Sequence, residues 1–236
     1  MKTTTSHVNK VFFPVFILLF ASCSPEYIPN MVNAPMLSNK GEVQVSANIG
    51  SSGFDPQLAF AATDHLGFIV NGSFRNDTRD SANYHKHSMV ELGAGYFDKL
   101  GTSGRYELYG GYGFGNVEGY WGSDESIFND AANARFNRFF LQPAIGASTS
   151  FFDGSFAARF AFVNMNLQEG NVGRSAQYDA FIEPVITAKL GFKQVKFISQ
   201  LGLSLPLTDD AILHYQHQPF IFNVGVQLNF GRIYTD

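Results

Sequence analysis

Seven charged residues, Glu91, Arg105, Glu107, Arg159, Glu183, Lys189 and Lys196, stand where alternating segments turn their polar side. A mixed-sign set of this kind can do two things inside a protein. It can pair across an enclosed space, because a buried charge without a counter-charge is costly, or it can line a narrow path for small polar solutes. Two close histidine pairs, His85 with His87 and His214 with His217, have the spacing at which imidazoles ligate a transition metal. Neither pair has a third carboxylate or cysteine at a diagnostic spacing, so no metal and no cofactor is assigned, and both pairs read as solvated loop residues. Cys23 is the one cysteine, which excludes an intrachain disulfide and leaves its thiol for another use.

The elements that must position these groups are strands. From Phe220 to Phe230 the residues Phe220, Phe222, Val224, Val226, Leu228 and Phe230 share one face, and Ile221, Asn223, Gly225, Gln227 and Asn229 share the other. A similar period of two recurs in about ten segments between Gly41 and Phe230, with few charges on the apolar side. Examples are Val43, Val45, Ala47 and Ile49 against Gln44, Ser46 and Asn48, and Phe156, Ala158, Phe160 and Phe162 against Arg159. Such repetition predicts a closed antiparallel transmembrane β-barrel of about ten strands, with eight as the alternative if the second segment is not a strand. Closure is what removes unpaired edges in hydrocarbon. Pro143 and Pro184 fall inside predicted strands and are expected to mark bulges.

Composition agrees with lipid exposure. Charged residues make up 15% of 236, against roughly a quarter in soluble domains, while there are 25 Phe and 10 Tyr. The net charge of -4 and the lack of any Lys/Arg run exclude a nucleic-acid surface. The expected partners are instead the lipid of the outer membrane and other envelope proteins. The run Tyr106, Tyr109, Tyr112, Tyr120 and Trp121 reads as an interfacial aromatic girdle. The longest predicted loop, with Asp124, Glu125, Asp130, Arg135 and Arg138, is the natural place for an external contact.

Predicted connections alternate in length, with short turns near Thr63 to His65, Asp98 to Gly104, Phe152 to Gly154 and Phe192 to Lys193. Longer loops fall near Arg75 to His87, Gly115 to Arg135, Gln168 to Gln177 and Leu207 to Gln218. Barrels of the outer membrane have short periplasmic turns and longer outer loops. An even strand count then puts both termini on the periplasmic side. Ahead of the strands, Lys2, His7 and Lys10 precede the apolar run Val11 to Ala21, which suits a secretory signal and is too short for a helical membrane span. The division expected is a signal peptide at 1–22, a Pro- and Asn-rich periplasmic tether at 23–40, the barrel at 41–232 and a short tail at 233–236.

The run Leu18, Leu19, Phe20, Ala21, Ser22, Cys23 resembles a bacterial lipoprotein lipobox, which implies cleavage before Cys23 and acyl chains on it, palmitate among them, enough for stable anchoring. The segment Tyr27 to Glu42, with Pro29-Asn30, Asn33, Pro35 and Lys40-Gly41-Glu42, followed by Gly50, Gly53 and Gln57, resembles an uncharacterised group of Bacteroidota-type outer-membrane barrel lipoproteins. That resemblance implies fold and location and no activity. Gly225 to Phe230 is similar to the C-terminal signal of assembled barrels, with six residues following it. Among barrel enzymes, omptin-like proteases use paired acids and an Asp-His couple, to which Asp209, Asp210 and His214 offer only residue types. Lipid A deacylase-like barrels use His, Ser and a carboxylate, for which His87, Ser88 and Glu91 supply types without the motif. No catalytic residue is therefore assigned, and the chain is expected to be a structural, scaffold or binding protein, with a small channel or transporter for polar solutes as the alternative and an outer-membrane hydrolase of lipid or peptide as the second.

Overall fold

The computed structural model describes residues 25–80, 83–121, 130–169, 172–208 and 215–234. Its strands are β1 (Val43–Gly50), β2 (Gly53–Ala61), β3 (Leu66–Asp80), β4 (Asn83–Leu100), β5 (Gly104–Trp121), β6 (Asp130–Ser148), β7 (Phe152–Glu169), β8 (Val172–Gly191), β9 (Val195–Leu203), β10 (Leu205–Pro206) and β11 (Phe220–Phe230). All pair antiparallel. β9 and β10 flank Ser204 and both lie on β8 in one register, Gly202 opposite Val185 and Leu205 opposite Ile182, so they form a single stave. β1 pairs with β2 on one side and with β11 on the other, from Val43 opposite Phe230 to Gly50 opposite Asn223, which closes the sheet. The wall is thus a ten-stave closed barrel. The eight-strand alternative fails because β2 is a full stave between β1 and β3.

Alternation explains the wall. On β11 every residue of the Phe220, Phe222, Val224, Val226, Leu228, Phe230 set is exposed, while Ile221, Asn223, Gln227 and Asn229 are buried. The same holds around the barrel, through Val45, Leu58, Phe68, Leu92, Leu108, Phe139, Phe156, Ile186 and Phe197, the last 70% exposed. So continuous an apolar outer face, over a sheet with a polar inside, is the arrangement that a lipid-embedded barrel requires.

One rim carries the tight turns at 62–65, 101–103, 149–151 and 192–194, with the C-terminal end of β11. The other carries the remaining connections. Several strands run well past the 9–11 residues that span a bilayer; β4 and β5 have 18 each. The excess lies at the second rim, where outward residues become polar, as with Lys86, Ser88, Asn116 and Arg135. Most of the stretches expected as the loops 75–87, 115–135 and 168–177 are therefore paired strand, for example Arg75 opposite His87 and Thr78 opposite Tyr84. Polar residues on both faces hide a strand from a hydropathy pattern, but ladder hydrogen bonds do not depend on side-chain polarity. The turn expected at Phe152 to Gly154 falls at 149–151 instead, where Thr149 Oγ1 accepts from Phe152 N at 2.9 Å.

The two prolines produce no bulge. Pairing of β6 with β7 skips Gln142 and Pro143 and resumes unshifted, Leu141 opposite Phe160 and Ala144 opposite Ala157. Pro184 keeps its place opposite Ala158 on the β7 side, and the β9 pairing begins one residue later. In an antiparallel ladder each residue's N–H serves one neighbour only, so a proline removes a bond on one side without changing the register. The register shifts that do occur lie near the second rim, at Thr78/Asp80 and Gln168/Glu169.

Glycines on β4 and β5 make room inside. A Cβ on Gly111 would lie 2.4 Å from the Phe140 ring, and one on Gly93 would lie 2.9 Å from both Phe140 and Ile69. The interior is not uniformly polar. It holds three apolar clusters, built around Phe136 and Phe181, around Ala144 and Val185, and around Tyr109 and Phe140. Each cluster also contains residues from a segment that belongs to no strand.

Candidate functional site: the filled lumen

That segment is the one expected to be a periplasmic tether. Residues 27–38 instead run through the inside of the barrel, and nearly every one of them is fully buried. Asn, Pro and small residues keep the chain extended and out of any helix or ladder. Its backbone groups must then find partners among side chains of the wall. They do so in consecutive order. The carbonyl of Asn30 accepts from Arg159 Nη2 (3.0 Å), Met31 from Gln57 (2.9 Å), Val32 from Gln200 (2.9 Å) and Asn33 from Gln142 (2.8 Å). Ala34 accepts from Lys189 (3.2 Å), Pro35 from Gln44 (2.9 Å) and Met36 from Arg232 (2.8 Å).

Donors of the segment are met as well. Met31 N reaches Asp55 (2.7 Å), Val32 N reaches Gln200 Oε1 (2.9 Å), Met36 N reaches Glu107 (2.9 Å) and Ser38 N reaches Glu42 (2.8 Å). Gln200 therefore clasps both polar groups of Val32, as a neighbouring strand would. Met36 has a left-handed backbone, φ 53°, which costs a non-glycine residue about 1–2 kcal/mol; Glu107 and Arg232 hold it from both sides.

The upper half of the plug is anchored by charge. Arg138 and Arg159, both fully buried, face Glu91 and Glu183 in a balanced quartet. Arg138 forms a close ion pair with Glu91, Arg159 Nε lies 2.5 Å from Glu183, and Arg159 Nη1 lies 4.0 Å from Glu91. Asn30 Oδ1 sits between the guanidiniums, accepting from Arg138 at 2.7 Å and Arg159 at 2.9 Å. Tyr27 donates to Glu183 (2.9 Å), accepts from Arg138 (3.1 Å) and stacks on Phe181 with centroids 4.5 Å apart. Such a network holds a conformation more than it adds stability, because desolvation cancels much of the attraction. A second network closes the short-turn end, where Arg232 lies 3.5 Å from both Glu42 and Asp153, and Lys196 lies 2.8 Å from Asp153.

All seven sequence-predicted lumen charges lie inside and are buried. Among the seven, ion pairs within 4.0 Å join only Arg159 with Glu91 and with Glu183. Glu107 and Lys189 instead bind the plug backbone, Lys196 takes Asp153, and Arg105 donates to Ser38 Oγ (3.2 Å) and to the Thr102 and Gly104 carbonyls. Sequence reasoning missed Arg138, which it placed in the external loop; its parity with Phe136, Phe140 and Gln142 on β6 is the signal that finds it. Asp55, Asp153 and Arg232 were missed too, being near strand ends where alternation is short.

Other expectations are also revised. His85 and His87 are lumen-facing residues of β4 beyond the apolar band, not solvated loop residues, with His85 Nε2 3.2 Å from His87 Nδ1 and Ser73 Oγ 3.2 Å from His87 Nε2. Burial, aided by Arg75 and, for His87, first by the neighbouring imidazole, lowers His85 to about 4 and His87 to about 3. Ser88 points outward, away from His87, and Glu91 is held by Arg138, so the His, Ser and carboxylate set is not assembled. Tyr109 is inside the lumen, not in the girdle. Cys23, Asp209, Asp210 and His214 lie outside the described residues, and so do the side chains of Tyr120 and Trp121.

The architecture is similar to two solved barrels. One is the N-terminal β-barrel domain of Pseudomonas aeruginosa OprF, with TM-score 0.35 and 11% identity over 82% of this chain and 98% of that one. The other is the translocator domain of the autotransporter NalP from Neisseria meningitidis, with TM-score 0.46 and 9% identity over 80% and 85%. No family of known proteins and no curated protein matches the chain.

The expected placement of both termini at one rim holds for the barrel strands but not for the plug. Gln218 N donates to Tyr27 O (2.9 Å), and the amides of Glu26 and Tyr27 donate to Gln216 O (2.9 and 3.1 Å). Those contacts are at the loop rim. Asn39 bonds to Gly231 O (2.8 Å) and Lys40 N to Asp64 (2.9 Å) at the opposite, short-turn rim. The plug crosses the whole barrel.

Proposed function

We propose that this chain is a lipoprotein of the outer membrane, acylated at Cys23, whose barrel is a closed, non-catalytic structural element that serves as a scaffold for other envelope proteins. The observation that carries the reading is the unbroken series of plug carbonyls, Asn30 to Met36, each taken by a wall side chain. A lumen built to conduct would leave its polar groups to water and solute. Here they are spent on the chain itself, which argues against the channel alternative. The apolar belt supports a bilayer location. The short-turn rim is assigned to the periplasm and the loop rim to the exterior, on the general asymmetry of such barrels.

Planar-bilayer recording tests the reading. The intact protein should give no steady conductance, and deletion of residues 26–37 should open one. Steady current through the intact protein would sink it and revive the channel. Incorporation of labelled palmitate, lost in Cys23→Ala, checks the acylation. Mild-detergent purification should retain an envelope partner.

A further inference from the structure

We infer that the chain upstream of Pro25 is displayed on the outer surface of the membrane, with the barrel acting as a sleeve that carries the protein's own N-terminus across the bilayer. The inference rests on the orientation proposed above, and its threading component rests on geometry alone. Tyr27 is strapped to the loop rim through the backbone of residues 216–218, with a parallel bridge to His217 and a bond from Gln216 N to Glu26 Oε2 at 2.8 Å. Ser38 is strapped to the opposite rim by Glu42 and Arg105. Between these two points the extended chain spans at most about 40 Å, enough to cross a hydrocarbon core of about 30 Å.

Upstream residues have no way back. The interior is filled by the plug and by the three clusters around it, so a return through the lumen is blocked. A return outside the wall would take a polar backbone through hydrocarbon without partners. Cys23 stands four residues before Tyr27, a reach of at most about 14 Å. Any acyl chain it carries therefore enters the outward leaflet, not the periplasmic leaflet expected when both termini share one rim. The same geometry has a consequence for assembly. An end that carries acyl chains cannot be drawn through a filled lumen, so in an acylated chain the wall closes around a plug already in place.

The test is an epitope inserted between Ser24 and Pro25, compared with one placed in the connection between β5 and β6 and one after Asp236, each read on intact and on permeabilised cells. Expected is most of the full signal from the first two on intact cells, and signal from the third only after permeabilisation. A loop epitope read on intact cells together with a protected N-terminal epitope would overturn the threading. A protected loop epitope with an accessible C-terminal one would overturn the orientation, and the inference with it. Should the insertion prevent folding, Glu26→Cys with a membrane-impermeant maleimide replaces it: labelling on intact cells is expected, and its absence there with labelling after lysis overturns the proposal.

Discussion

Gln200→Leu isolates the coupling between wall and plug. The amide of Gln200 pairs with both Val32 N–H and Val32 C=O at 2.9 Å and donates to Thr187 Oγ1 at 2.8 Å. Leucine keeps most of the volume and removes all three bonds. The Thr187 hydroxyl can rotate to another partner, but the two backbone groups of Val32 stay buried with none. Each costs about 1–3 kcal/mol, so local opening of the plug should become easier by at least about 2 kcal/mol, or about 30-fold at roughly 1.4 kcal/mol per factor of ten. Amide hydrogen exchange in detergent reads this directly. Protection of Val32 and its neighbours should fall about 30-fold or more, while Ala47 and Val226, paired across the β1–β11 seam, stay unchanged. Unchanged protection at Val32 would refute the reasoning, since the clasp would then contribute nothing. An equal loss at the seam would refute it differently, by showing that plug and wall open together.

Arg138→Met leaves buried Glu91 with Asn71 and a guanidinium 4.0 Å away, and it should destabilise the fold by about 3–5 kcal/mol. Adding Glu91→Leu should recover part of that loss in a double-mutant cycle read by gel mobility after heating. Val226→Arg, on the outer face of β11 between Ala47 and Phe197, should cost about 2–4 kcal/mol in lipid, while Ile233→Arg beyond the rim should cost about 0–1 kcal/mol; equal effects in urea titrations would argue against an embedded belt. Burial lowers His85 to about 4 and His87 to about 3 from 6.5, so between these values and 6.5 the unfolded chain binds more protons. Stability should therefore fall as pH drops from about 6.5 toward 4, and His85→Gln with His87→Gln should flatten that dependence in the same heating assay.

Alternation in single segments was enough to specify the wall. With Val43, Val45, Ala47 and Ile49 on β1, Phe156 to Phe162 on β7 and Phe220 to Phe230 on β11 alternating with polar or small residues, one face can only meet lipid, and seven of the inward charges follow from parity alone. The ends of β3 to β8 at the loop rim escape that signal because strands outside the bilayer carry polar residues on both faces, so His85 and His87 read as loop residues, while Arg138 stands beside outward Phe139 and only its parity with Phe136 and Phe140 assigns it inward. What no local pattern could decide was the course of residues 25–38. They have no period and no ladder; their partners, from Gln44 to Arg232, are spread over the whole chain. Only the closed cylinder brings those side chains onto one axis, and the need to satisfy each buried carbonyl then determines which end of the barrel the N-terminal segment leaves by.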